Sequence, residues 1–211
     1  MEFTIPYRDI LDFWFGDSGG LEGETDDARG WPPESLRRRW FKSSDAQDAE
    51  IAERFGDRVA AALRRDLVDW EREPGPRLAL ILLLDQFTRN IYRGTADAFA
   101  GDHHAATLTL EGLSTGMDRR LGWAGQVFFY MPLMHAEDAE LQDRAVACYQ
   151  DLHARVPAAL KDDIANNLKF AEEHRDIIQR FGRFPHRNRV LERTDSAEEL
   201  DFLQHARRYG Q

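Results

Sequence analysis

Apolar residues recur along the chain at helical spacing, and no alternating run of β-branched residues bounded by turns interrupts them. Ile10, Phe13 and Trp14 share one face of a short first helix that Gly16 stops. Ser44 with Gln47 gives a capping-box signature for a long helix to about Glu73. Its stripe is Ile51, Phe55, Val59, Leu63 and Leu67, and Pro74, Gly75 and Pro76 end it. Two segments lack a polar face: Arg77 to Ile91, apolar on every side through Leu84, and Trp123 to Met134. Both are expected at the centre of the fold, the second kinked or ended by Pro132. Further helices are expected over Asp102–Ser114, Glu137–Ala154 and Ala158–Phe181. Ser196 with Glu199 forms a second capping box opening a closing helix towards His205.

The pattern predicts an all-α fold of about eight helices packed as antiparallel pairs, without an exact internal repeat. The whole chain, 1–211, reads as one domain. Residues 16–30, rich in Gly, Asp and Glu and poor in apolar residues, are expected to form a mobile loop. Acids surround its glycines and no P-loop lysine follows, so it is not a phosphate cradle.

Composition narrows the function classes. Hydrophobic residues make up 42%, with 13 Phe and 5 Trp, enough for an aromatic-rich core. The formal net charge of −10 repels phosphate backbones and disfavours nucleic acid. Cys148 is the single cysteine, which excludes an intrachain disulfide and CxxC motifs. Met1 to Phe15 does not read as a signal peptide, and the run Leu78–Leu84 is too short to span a bilayer. No membrane partner is expected, and the cytoplasm is the default compartment.

Three segments put polar residues where helix geometry implies burial. In the first, Asp85 and Arg89 lie four apart at the end of an all-apolar helix, with Asn90 and Arg93 following. An ion pair closing the helix and a group lining a cleft are both open there. In the second, His135, Glu137 and Asp138 follow the other central helix; they suit metal ligation or acid–base work. The two acids equally suit a helix start. In the third, Asn167 and His174 share an inward face with Phe170, Ala171, Ile177 and Ile178. Beyond Gly182 come Arg183, His186, Arg187, Asn188 and Arg189, with Arg180 just before. Gly182 as a C-cap accounts for Arg180, and can extend to Arg183, near the helix's negative end; it accounts less well for Arg187 and Arg189 beyond Pro185.

Other motifs fail. His174–Arg175–Asp176 spells a kinase triplet inside a helix without a Gly-rich loop upstream, His103 and His104 cannot easily share a metal from one helix, and neither HExxH nor GxSxG occurs.

Three functions remain in view. The first is a binding or catalytic pocket for a small anionic ligand, lined by Asp85, Arg89, Asn90, His135, His174, Arg183, His186 and Arg187. Its arginines outnumber Asp85, and the excess donors would take an anion unless Glu137, Asp138 or other acids fold in. The second is a scaffold holding a peptide or acidic partner on a concave helical surface. The third is a metal-dependent hydrolase using His135, Glu137, Asp138 and His174. No cofactor and no tightly bound transition metal are expected, because the acids beside His135 have good helix-start roles.

Five stretches carry a family resemblance: DILDFWFG (Asp9–Gly16), RWF (Arg39–Phe41), LLLDQFTRNIYRG (Leu82–Gly94), FFYMPLMHAED (Phe128–Asp138) and EEHRDIIQRFGRFPHRN (Glu172–Asn188). In this order they resemble a bacterial and fungal family numbered nine hundred and twenty-four in the domain-of-unknown-function series. The chain departs from that pattern at Thr88, where a proline is usual, at Met134, often Glu, and at Ala136, often Ser. The loss of an acid beside His135 counts against a metal site there. The resemblance implies a tetratricopeptide-like α-α superhelix and supplies no activity.

Overall fold

The computed structural model describes residues 7–17, 20–21, 28, 30–41 and 44–205. Among them there is no strand. The helices are α1 (Arg8–Phe15), α2 (Glu34–Phe41), α3 (Asp45–Leu63), α4 (Pro74–Ile81) and α5 (Thr88–Ile91), then α6 (Asp102–Ser114), α7 (Trp123–His135), α8 (Ala139–Arg155), α9 (Lys161–Phe181) and α10 (Ala197–His205). A π-helical turn, Leu82–Phe87, joins α4 to α5, and short 3-10 segments fill several of the connections. Among the described residues no helix is long and apolar enough to cross a membrane.

Both segments without a polar face are central. Every residue of α7 from Trp123 to Met134 is buried, and α4, α6, α8, α9 and the π turn pack around it. Pro132 sits inside α7 without ending it, and the helix runs on to His135. The carbonyls at its C-terminal end are met by the buried Gln142, whose Nε2 donates to Met134 O and Ala136 O, each at 2.7 Å. That supplies two of the partners a helix end lacks.

Several boundaries differ from the pattern. α3 stops at Leu63 because Arg65 adopts a left-handed conformation (φ 65°). The Asp66 N–H then reaches Ala61 O and the Arg65 N–H reaches Ala62 O, a Schellman closure made without glycine. Leu67 packs on the core from outside the helix. Pro74 opens α4 at its first position rather than closing α3, since an N1 proline loses no hydrogen bond. Ser44 caps α3 by accepting from Gln47 N at 3.2 Å, while the Gln47 side chain turns away to Arg39 O. At α10 the box is complete: Ser196 N donates to Glu199 Oε2 and Glu199 N to Ser196 Oγ.

Most of segment 16–30 lies outside the described residues, and its expected mobility with it. Gly20, which is described, accepts from Gly122 N at 2.9 Å, and Leu21 packs against the core.

Candidate functional site

The π turn positions the central acid. Such a widened turn shifts the residues it contains relative to a straight helix. Thr88 Oγ1 donates to Leu84 O at 2.7 Å and Arg89 Nη1 to Asp85 O at 2.6 Å, so side chains from the next turn engage these carbonyls. The Asp85 side chain, fully buried, faces the end of α7, where His135 Nδ1 lies 2.7 Å from Asp85 Oδ1. Gln86 Nε2 donates to Asp85 Oδ2 at 2.5 Å, and Arg89 approaches Oδ1 at 3.3 Å.

A second layer holds this pair. Arg89 forks onto Asp102 at 2.8 and 2.9 Å. Arg187, from the turn after α9, donates to Asp102 Oδ2 at 3.2 Å and to His135 O at 2.9 Å. Its guanidinium lies over the rings of Phe99 and Phe184, 4.5 and 4.6 Å from their centroids. Asp102 can reach both arginines because Gly101 lets the start of α6 press against Leu84. A Cβ at position 101 would sit 2.2 Å from Leu84 O.

His174 approaches from α9, its ring centroid 6.2 Å from that of His135 and its Nδ1 2.7 Å from Phe170 O. Phe184 lies beside both His174 and His186, at 5.5 and 5.4 Å. The structure thus brings together Asp85, Arg89, His135, His174, His186 and Arg187, residues from widely separated parts of the chain. Two candidates stand elsewhere. Asn90 donates to Asp48 at 2.7 Å, beside the Arg93–Asp48 pair, and Arg183 pairs with Glu199 at 2.6 Å.

The charges balance from within. Arg89 and Arg187 share Asp102, Arg183 has Glu199, and Arg193 holds Glu137 at 2.6 and 2.9 Å. Glu137 also accepts from Phe184 N at 2.8 Å, and Asp138 caps α8 by accepting from Leu141 N. The excess of donors anticipated from the arginines is therefore met by Asp102, Glu137 and Glu199. Glu137 and Asp138 are turned to these duties rather than towards His174. Among the described residues no group of three or more His, Cys, Asp or Glu could hold a metal ion.

Electrostatics follow the contacts. Burial opposes the charge of Asp85, but His135 and Arg89 outweigh it and hold the carboxyl well below the usual carboxylate range. An ionised Asp85 accepts only, so the proton between the two lies on His135 Nδ1. His135 Nε2 makes no hydrogen bond among the described residues, and the ring is half-buried. Burial, reinforced by His135, pushes His174 down to about 3; burial and Arg187 push His186 down to about 4. Both are neutral near pH 7. Burial lowers Arg187 to about 10, which leaves it charged.

The surroundings of His135 are aromatic. Met131 and Phe128 precede it on the same face of α7. Phe128 meets Trp14, Phe15 and Trp40 edge-on at 5.6, 5.4 and 4.8 Å, and Gln86 Nε2 lies 3.5 Å from Met131 Sδ. On α9 the sequence His174, Phe170, Asn167, Asp163 makes one face, tied to α2 by Arg37–Asp163 at 2.8 Å. These contacts gather α2, α7, α9 and the π turn into one corner, with half-buried Gln86, His135, Asn167 and Phe170 among its residues. Sequence reasoning missed Gln86, Phe99 and Asp102; an acid at the first position of a helix reads as a dipole partner, not as the acceptor for two arginines.

No curated protein matches the chain. It is similar to a solved structure, that of the protein of unknown function ATU0120 from Agrobacterium tumefaciens. The two are 37% identical with a TM-score of 0.77, over 95% of this chain and 98% of that one. The family model described as "Bacterial protein of unknown function (DUF924)" matches residues 10–207, and the chain belongs to that family.

Proposed function

We propose that the protein binds a small polar molecule at the Asp85–His135 corner and that His135 acts there as a general acid–base. The carrying observation is the dyad: a fully buried carboxylate 2.7 Å from His135 Nδ1, with Nε2 left without a partner among the described residues. An acid fixed behind an imidazole sets its tautomer and stabilises the imidazolium, the arrangement by which histidine takes and returns a proton. Gln86 and Arg89 spend their donors on the same carboxylate, so Asp85 is committed to orienting the ring. The ligand need not be an anion, because the arginines already have acids. A substrate hydroxyl or amine facing Nε2 fits the chemistry better. The single cysteine is in keeping with a cytoplasmic setting.

The scaffold reading has less support. α7, α8 and α9 do pack in succession, as helical repeats do, but α7 is enclosed on every side and offers no concave face to a peptide.

Diethyl pyrocarbonate, which acylates neutral imidazole, tests the acid–base reading without knowledge of the ligand. Mass spectrometry should find His135 modified faster than His174 or His186, and Asp85→Asn should slow it. A thermal-shift screen of hydroxylated, aminated, phosphorylated and carboxylated metabolites should then give a stabilising compound whose effect His135→Gln removes. Equal modification of the three histidines, together with a screen whose hits ignore His135→Gln, would show that the cluster only fastens the turn after α9 to the core.

A further inference from the structure

On the side of α7 away from His135, a cavity of about 280 Å³ opens between the end of α6, α7 and α8. Leu113, Gly116, Tyr130, Ala147 and Cys148 make its walls; Asp118, Arg119, Arg144 and Asp151 bring charge to it. Its size is just below the ordinary range for small-molecule sites, about 300–1,000 Å³.

Two of its charged groups are incompletely used. Asp118 is buried, and its Oδ2 accepts a hydrogen bond from the Tyr130 hydroxyl at 2.7 Å, with Arg119 Nε 3.5 Å away. Asp118 Oδ1 accepts a hydrogen bond from none of the described residues. Asp151 pairs with Arg119 and Arg155 at 2.6 and 2.9 Å, whereas the exposed Arg144 makes no ion pair among the described residues. One acceptor without a donor inside and one guanidinium without an acid at the rim call for a ligand carrying both a cationic donor and an anionic acceptor. Cys148 takes no part as a nucleophile, since burial pushes its thiol up to about 11.

We propose that this cavity binds a small zwitterion of the amino-acid class, its ammonium group on Asp118 and its carboxylate on Arg144. The site is independent of the Asp85–His135 corner.

Isothermal titration of the full chain with L-alanine, L-serine and L-glutamate tests it, with methylammonium and acetate as single-charge controls. Saturable binding of at least one amino acid is expected, with each control about tenfold weaker or worse. Arg144→Ala, at an exposed position, and Asp118→Asn, which keeps an oxygen for Tyr130, should each weaken binding by about tenfold or more. Cys148→Leu, which fills the cavity, should abolish it and stands in if Asp118→Asn does not fold. His135→Gln should leave it unchanged. No saturable binding of any amino acid at ~10 mM, binding that survives Arg144→Ala and Cys148→Leu, or controls as tight as the amino acids would overturn the proposal.

Discussion

Replacing Arg187 by alanine removes the side chain that joins the turn after α9 to the Asp85–His135 pair. The wild-type guanidinium is buried, bonded to Asp102 and to His135 O, and stacked over Phe99 and Phe184. Breaking a buried ion pair by deleting one partner costs about 3–5 kcal/mol, and a desolvated cation–π contact contributes about 2 kcal/mol. Two effects reduce the total. Asp102 keeps its fork from Arg89, and the desolvation that lowers Arg187 is relieved. A loss of about 3 kcal/mol is expected, or about 6–12 °C in Tm for a domain of this size. Urea unfolding supplies the midpoint and its slope, and a double-mutant cycle with Asp102→Asn should show coupling of about 1–3 kcal/mol. Arg187→Lys should recover little, because one ammonium cannot span a carboxylate and a carbonyl with a planar fork. A loss below about 1 kcal/mol, the scale of a surface pair, would refute the reasoning and return Arg187 to the pool of ligand-binding groups.

Three other outcomes follow from the geometry. Arg183→Ala, on the same basic run, should shift the midpoint by less than the Arg187→Ala loss, since the Arg183 side chain is 32% exposed although its partner Glu199 is buried. Gly101→Ala should destabilise the fold by about 1–3 kcal/mol, because its Cβ would meet backbone, Leu84 O at 2.2 Å and Leu84 C at 2.8 Å, rather than a side chain that can swing aside. Stability should fall with acidification. His174 and His186 have folded pKa values of about 3 and about 4, below the unfolded 6.5, so the unfolded chain binds their protons first. Their contribution is complete above pH 6.5 and is lost progressively as pH falls towards 4 and 3, each adding a slope of up to about 1.4 kcal/mol per pH unit. Urea midpoints at pH 7 and pH 5 should differ in that direction, and His174→Gln should flatten the difference; a midpoint higher at pH 5 would contradict the burial of both rings.

The fold was legible where one local signal sufficed. α6 carries its expected limits, the Ser196–Glu199 box opens α10, and the two segments without a polar face form the centre. The failures mark places where a residue acts against its usual preference. Arg65 takes the left-handed position that glycine normally fills, so nothing in the sequence stopped the α3 stripe before Leu67. Pro74 punctuates the chain either way, and only the structure shows that it begins a helix. The π turn leaves no trace in the sequence, because the apolar run Leu78–Leu84 that leads into it has no polar face against which one extra residue would register. At the site, the convergence of Asp85, Arg89, His135, His174 and Arg187 was readable, since inward polar groups on central helices must find one another. Which acid met which arginine was not. Asp102, Glu137 and Glu199 lie between 13 and 85 residues from their arginines, and local spacing carries no information at that range.

The central claim concerns one proton. Long-range ¹H–¹⁵N spectra of the histidine rings, followed through a pH titration, report which nitrogen of His135 carries hydrogen. With Asp85 behind the ring, Nδ1 should be the nitrogen that carries hydrogen, and Asp85→Asn should remove that preference. A His135 that holds its hydrogen on Nε2 with Nδ1 bare would contradict the account.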